Sequence, residues 1–250
     1  MRRLALALLL LLAVAPAGAE RLTSIVSTPV VRITSSFDGA MLSLFGTIEP
    51  DVPGTPLEGP YNIITVVTGP LQDRVTRIKT SNFGIWSNTD EVKFKRFPSF
   101  YAVISSGRLD GIASEEVLQA NSVRPIDQAR RTAQATGLKA EQFSGQLVRL
   151  MTEENHFITR EDGVRFLSDT AYFINLALPS DVANGAFLVR TMVLKDRQIV
   201  AERADGFSVR KSGFENFVFV ASRQQPLLYG LVCVLLALGS GWLAGVVFKR

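Results

Sequence analysis

The chain has 250 residues, 47% of them hydrophobic, which is enough for one elaborate domain or two small ones. Its 27 basic and 23 acidic residues give a net charge of +4, but Arg2, Arg3, Lys249 and Arg250 account for the whole excess, leaving 23 of each sign in residues 20–226. That neutral body argues against nucleic acid as a partner, and a single cysteine, Cys233, excludes a disulfide framework.

In chain order, Met1-Arg2-Arg3 precedes an apolar run from Leu4 to Val14, closed by Ala17-Gly18-Ala19. A charged start, a short apolar run and a small-residue exit are the three regions of a cleaved secretory signal. The run is too short to span a bilayer, so residues 1–19 are set apart from the fold. The single cysteine and the absence of any Asn-x-Ser/Thr sequon fit export to a bacterial periplasm.

Residues 20–111 form a first β-rich region. Val31 and Ile33 alternate with Arg32 and Thr34, and Leu42, Leu44 and Ile48 alternate with Ser43 and Thr47. Phe37-Asp38-Gly39 between them predicts a hairpin turn. "EPDVPGTPLEGP" is a loop, and "YNIITVVTGP", "RVTRIKT", "EVKFKRF" and "SFYAVISS" predict four further strands.

A helical insertion is expected over 112–160. Ser114 before Glu115-Glu116 has the character of an N-cap, and Arg124-Pro125 opens a second helix that Gly137 is placed to end. A third helix near Ala140–Glu154 puts Phe143, Leu147, Leu150 and Met151 on one face, a pattern of core packing. In the second β-rich region, 161–223, strands are expected at "AYFINLAL", "GAFLVRTMVL", "QIVAE", "FSVRK" and "FENFVFVAS". The fold class is mainly β: an immunoglobulin-like β-sandwich, as one elaborated domain or two packed halves, with a helical insertion.

Leu227–Phe248 carries no charge over 22 residues, a reach of about 33 Å at the helical rise. It predicts a C-terminal transmembrane helix at 227–248 with a two-residue cytoplasmic tail at 249–250. Tyr229 and Trp242 lie toward its ends, as interfacial aromatics do. Ala237, Gly241 and Gly245 recur every four residues, so they stack on one face where a second helix can approach closely. Glycine is also common in membrane helices, so the spacing alone leaves both readings open.

Four stretches carry a family resemblance: "SFDGAMLSLFGTIEP", "GIWSNTDEVKFKRFPSFYAVISS", "SDTAYFINLALPSDVANGAFLVRTMVL" and the segment from "VRKSGFENFVFVAS" through the apolar helix. Together they resemble the transmembrane protein family of alphaproteobacteria that has no assigned function. The resemblance implies a bacterial inner-membrane, single-pass protein with its N-terminal domain in the periplasm and its C-terminus in the cytoplasm. It also implies the company of a membrane-protein partner, a permease of the sulfite-exporter type, and it supplies no catalytic residues.

The residues themselves offer little chemistry. His156 is the single histidine, too few for a zinc site of His and Cys, and no nucleophile elbow accompanies it. The acid pairs Glu115-Glu116, Glu153-Glu154 and Glu161-Asp162 read as solvated faces, and the loop with Glu49, Asp51 and Glu58 lacks calcium-loop spacing. No phosphate loop or dinucleotide motif occurs, so no cofactor and no metal is expected. In "FKRFPSFY", alternation of strand faces around Pro98 accounts for the mixture of basic and aromatic residues. Phe83 and Trp86 in "NFGIWSN" are either core anchors or an exposed partner surface.

Three functions compete. The leading one is a non-enzymatic, membrane-anchored periplasmic interaction module, an accessory subunit of an inner-membrane transporter or assembly complex. The alternatives are a periplasmic ligand-binding sensor or chaperone module with a helical lid, and a carboxylate-dependent hydrolase of envelope polymers.

Overall fold

The computed structural model describes residues 20–33, 38–57, 59–211, 218 and 221–247. The signal at 1–19, Phe37 of the expected turn, Glu58, most of the last expected strand and the tail at 249–250 lie outside the described residues.

Two sheets face each other across an apolar core. The outer one has the order β1 (Glu20–Val26), β3 (Ala40–Pro50), β10 (Ala171–Leu178) and β9 (Val164–Phe166). The central one has the order β2 (Val30–Ile33), β12 (Gln198–Lys211), β11 (Gly185–Lys195), β4 (Asn62–Thr68), β7 (Tyr101–Ser105) and β8 (Phe157–Arg160). β3 pairs with β10 and β4 with β11, so each sheet mixes strands from both β-rich regions. Leu42, Leu44 and Ile48 alternate into the core as the sequence pattern predicts, against Ile174, Leu176 and Phe187.

β4 and β7 do not alternate. Burial is continuous from Ile63 to Val67 and from Tyr101 to Ser105. Ile63 and Val67 pack toward the outer sheet, while Ile64 and Val66 pack toward a second core on the far side. A strand covered on both faces needs a nearly continuous apolar run, and the buried exception in β4, Thr65, is paired hydroxyl to hydroxyl with Thr191 at 3.1 Å.

That second core lies under the helices α1 (Leu109–Ile112), α2 (Glu115–Ala120), α3 (Pro125–Thr132) and α4 (Gly137–Glu153). Their position follows from topology. β7 and β8 are parallel neighbours, Tyr101 opposite Phe157, and parallel neighbours need a long crossover. The helices are that crossover, laid over the central sheet. Ser114 caps α2 by accepting the Val117 N–H at 3.3 Å. In α4, Phe143, Leu147 and Met151 are buried, whereas Leu150 at the edge of the stripe is 41% exposed.

A two-stranded ribbon, β5 (Leu71–Asn82) and β6 (Ile85–Pro98), emerges between β4 and β7. Val92, Phe94 and Phe97 at its base join the helical core.

The structure corrects three local expectations. β2 and β3 do not form a hairpin; the edge of β12 captures β2 in parallel register, and β3 pairs with β1. Gly137 opens α4 with φ +65° and does not end α3, which stops at Thr132 because the next residues join the ribbon. Ala133 bridges to Phe94, and the Gln134 N–H donates to the Lys93 carbonyl at 2.7 Å. Ala221 and Ser222, expected at the end of a strand, are helical and lead toward the apolar helix through Gln225, whose N–H bonds to the Ala221 carbonyl.

Candidate functional site

The C-terminal helix α5 (Pro226–Val247) has a mean hydropathy of 2.0 over Pro226–Val246, and none of that span is buried against the rest of the protein. Among the described residues it is the single helix long and apolar enough to cross a membrane. The Ser240 hydroxyl is satisfied within the helix: Ser240 Oγ donates to the Ala237 carbonyl at 3.0 Å, as an apolar surrounding requires. Nothing lies within 4 Å of a Cβ built on Gly241 or Gly245, so both, with Ala237 one and two turns before them, leave an open strip of helix backbone.

The tip of the ribbon is the second exposed feature. From Lys79 to Asp90 no residue whose side chain is described is buried. Asn82 pairs with Ile85, and between them Phe83 and Gly84 take φ +52° and +82°, the two left-handed residues of a type I′ turn. Gly84 suits that turn. Phe83 does not: a bulky residue is rare in left-handed backbone, where Asn is the preferred first residue. Its ring is nonetheless wholly exposed, and Trp86 is 71% exposed. Both stand outside the core.

A family model described as "Putative transmembrane protein" matches residues 21–250. The chain belongs to this family. Its match runs through the β-sandwich, the helical layer, the ribbon and α5 alike, and α5 gives this transmembrane-family member one candidate C-terminal span. Comparison with curated proteins found no match.

Elsewhere in this family member, the candidate chemical residues have structural partners. His156 Nε2 lies 3.2 Å from Asp181 and its carbonyl accepts the Tyr101 N–H at 2.9 Å, while Nδ1, 3.4 Å from Glu154, is buried without a hydrogen bond. Glu115 takes both Arg124 guanidinium nitrogens at 2.8 Å, Glu153 takes Arg149 at 2.6 Å, and Glu161 accepts the Leu109 N–H at the start of α1. Among the described residues no three His, Cys, Asp or Glu side chains gather as metal ligands would.

Strict alternation of strand faces would set the neighbours Lys95 and Arg96 apart, yet both line the same cleft at the base of the ribbon. A β-bulge brings them together, and no residue type in "KFKRF" announces it.

Proposed function

We propose that the protein is a non-enzymatic, membrane-anchored interaction module and an accessory subunit of a membrane-embedded transporter or assembly complex. In this reading the N-terminal signal exports the β-sandwich to the periplasm, and α5 holds it in the inner membrane with its C-terminus in the cytoplasm. The sandwich is read as immunoglobulin-like. Its outer order β1-β3-β10-β9 corresponds to strands A-B-E-D, and β12-β11-β4 to G-F-C, with β7 and β8 in the places of C′ and C″. The ribbon is then an insertion between C and C′.

The observation that carries the proposal is Phe83, a bulky aromatic held in left-handed backbone at the tip of a ribbon and left wholly in water. Locally unfavourable conformation combined with an exposed ring points to selection for contact and away from folding. Among the described side chains none is buried along the ribbon's outer half, where an isolated hairpin is marginally stable, so a partner surface would complete it. The Ala237, Gly241 and Gly245 face supplies a second contact within the membrane.

The test is purification of the full chain in mild detergent with identification of what accompanies it. A specific membrane protein should co-purify, and Trp86→Ala or Gly241→Leu should weaken its retention. A chain that purifies alone, or a companion that both variants retain as well as the parent does, rejects the reading.

A further inference from the structure

A cleft of about 460 Å³ opens between the ribbon base, α3 and the outward face of the central sheet. Lys95, Arg96, Arg131 and Arg190 line it, and no Asp or Glu does. In a body with equal numbers of basic and acidic residues, that is a local excess of one sign.

The backbone is bent to produce it. Gln72 pairs with Phe97 and Arg74 with Phe94, so Asp73 alone stands opposite both Lys95 and Arg96. Neighbours in a regular strand face opposite ways; this bulge directs both to one cleft. Arg96 takes φ +52°, unfavourable for a residue with a Cβ, and Asp73 Oδ1 accepts its N–H at 3.0 Å.

The two other cations are fixed by largely neutral groups. Arg131 Nη2 donates to Oε1 of the buried Gln128 at 2.7 Å. Arg190 Nη2 donates to the Asn121 carbonyl at 2.7 Å, and its Nε is 3.7 Å from Glu202. Among the described residues no carboxylate forms an ion pair with the side chains of Lys95, Arg96 or Arg131; Asp73 meets Arg96 at its backbone N–H. Tyr101, on the cleft floor, is not free to answer them: its hydroxyl donates to the Ser122 carbonyl at 2.6 Å.

We propose that this cleft binds a phosphate-bearing anion of charge −2 or more. One carboxylate would offset one of three unpaired cations, whereas a di- or polyanion offsets several, and guanidinium forks match phosphate oxygens. The phosphates belong either to a soluble molecule or to a lipid headgroup, and the site stands whether or not the ribbon tip binds a protein.

The test titrates the detergent-solubilised full chain with sodium pyrophosphate and, separately, with cardiolipin, phosphatidylcholine serving as blank, and reads the melting temperature. At least one probe should raise it saturably. Lys95→Glu/Arg131→Glu should weaken that probe at least tenfold, while Arg108→Glu/Arg165→Glu, with the same change in net charge, should not. Arg96→Gly removes the backbone strain as well as a cation, so it should melt no lower than the parent and still bind more weakly. Response to pyrophosphate identifies a soluble ligand, and response to cardiolipin alone a headgroup. No saturable response to either probe, or equal loss in the two charge-reversed pairs, overturns the proposal.

Discussion

The ring of Tyr172 fills the space above Gly46, its register partner across β10 and β3. A Cβ on Gly46 would stand 2.3 Å from the phenolic oxygen and 2.4 Å from Cζ. Tyr172 is buried between the sheets, and burial pushes its hydroxyl up to about 12. Gly46→Ala therefore forces a buried ring to move and should destabilise by about 1–3 kcal/mol. In a Tyr172→Ala background the clash is gone, so the double variant should cost less than the sum of the two single variants. Thermal unfolding of the four proteins of the cycle by circular dichroism decides it; additive costs would contradict the packing account.

Glu115 and Arg124 give a pH-dependent contribution. The Arg124 guanidinium, with help from Gln119, holds the Glu115 carboxyl down at about 2, against an ordinary value of 4.5. A carboxylate with a lowered folded value stabilises above its unfolded value and loses that contribution as pH falls through the folded one. Glu115→Gln should thus melt below the parent at pH 7, and the gap should close between pH 4.5 and pH 2. The pair is exposed, so the gap is small and shrinks in high salt. Melting curves of both proteins across that pH range check the sign; a gap that widens toward acid would refute it.

Much of the fold was legible where one face of an element meets one environment. Leu42, Leu44 and Ile48 alternate because β3 is covered on one side, and "AYFINLAL" marks β10 from end to end. The Ser114 cap and Pro125 at the start of α3 are local signals and stand where they were expected. Partner choice was not legible. Nothing in "VVRI" says that β12 will take it in parallel, nor in "TAQ" that Ala133 will bridge to the ribbon. Those outcomes depend on which edges remain open once distant strands have paired. The Lys95–Arg96 bulge is of the same kind: it is fixed by the count of residues across two strands, not by residue type.

Phe83 is the clearest case of a residue that suits neither its turn nor its solvent. Phe83→Asn restores the preferred first residue of a type I′ turn and should stabilise the ribbon locally by up to about 1 kcal/mol. The gain concerns opening of the ribbon and not global unfolding, so the proper observable is amide hydrogen exchange along β5 and β6. Exchange should slow around Asn82 and Ile85 and stay unchanged in β4. Faster exchange would mean that the Phe83 ring stabilises the turn, and would remove the argument for contact drawn from it.

The second turn of this kind leads to the opposite expectation. Asp196 and Arg197 join β11 to β12 with φ +49° and +65°, and Lys195 pairs with Gln198 across them. Unlike Phe83, Arg197 has work within the fold. Its Nη2 donates to the carbonyls of Asp110 at 2.9 Å and Ala113 at 3.0 Å, and Nε to Ala113 at 3.3 Å, closing the last carbonyls of α1. Arg197→Gly relieves left-handed strain of about 1 kcal/mol. It also removes charge-assisted hydrogen bonds each worth about 1.5–3 kcal/mol and strands a part-buried carbonyl. The losses exceed the relief, so Arg197→Gly should destabilise by about 2 kcal/mol or more where Phe83→Asn stabilises. Exchange of the α1 and α2 amides should rise first, because the guanidinium ties that end of the helical layer to the central sheet. A variant as stable as the parent, with α1 protected as before, would show that the helical layer is held by its apolar core alone.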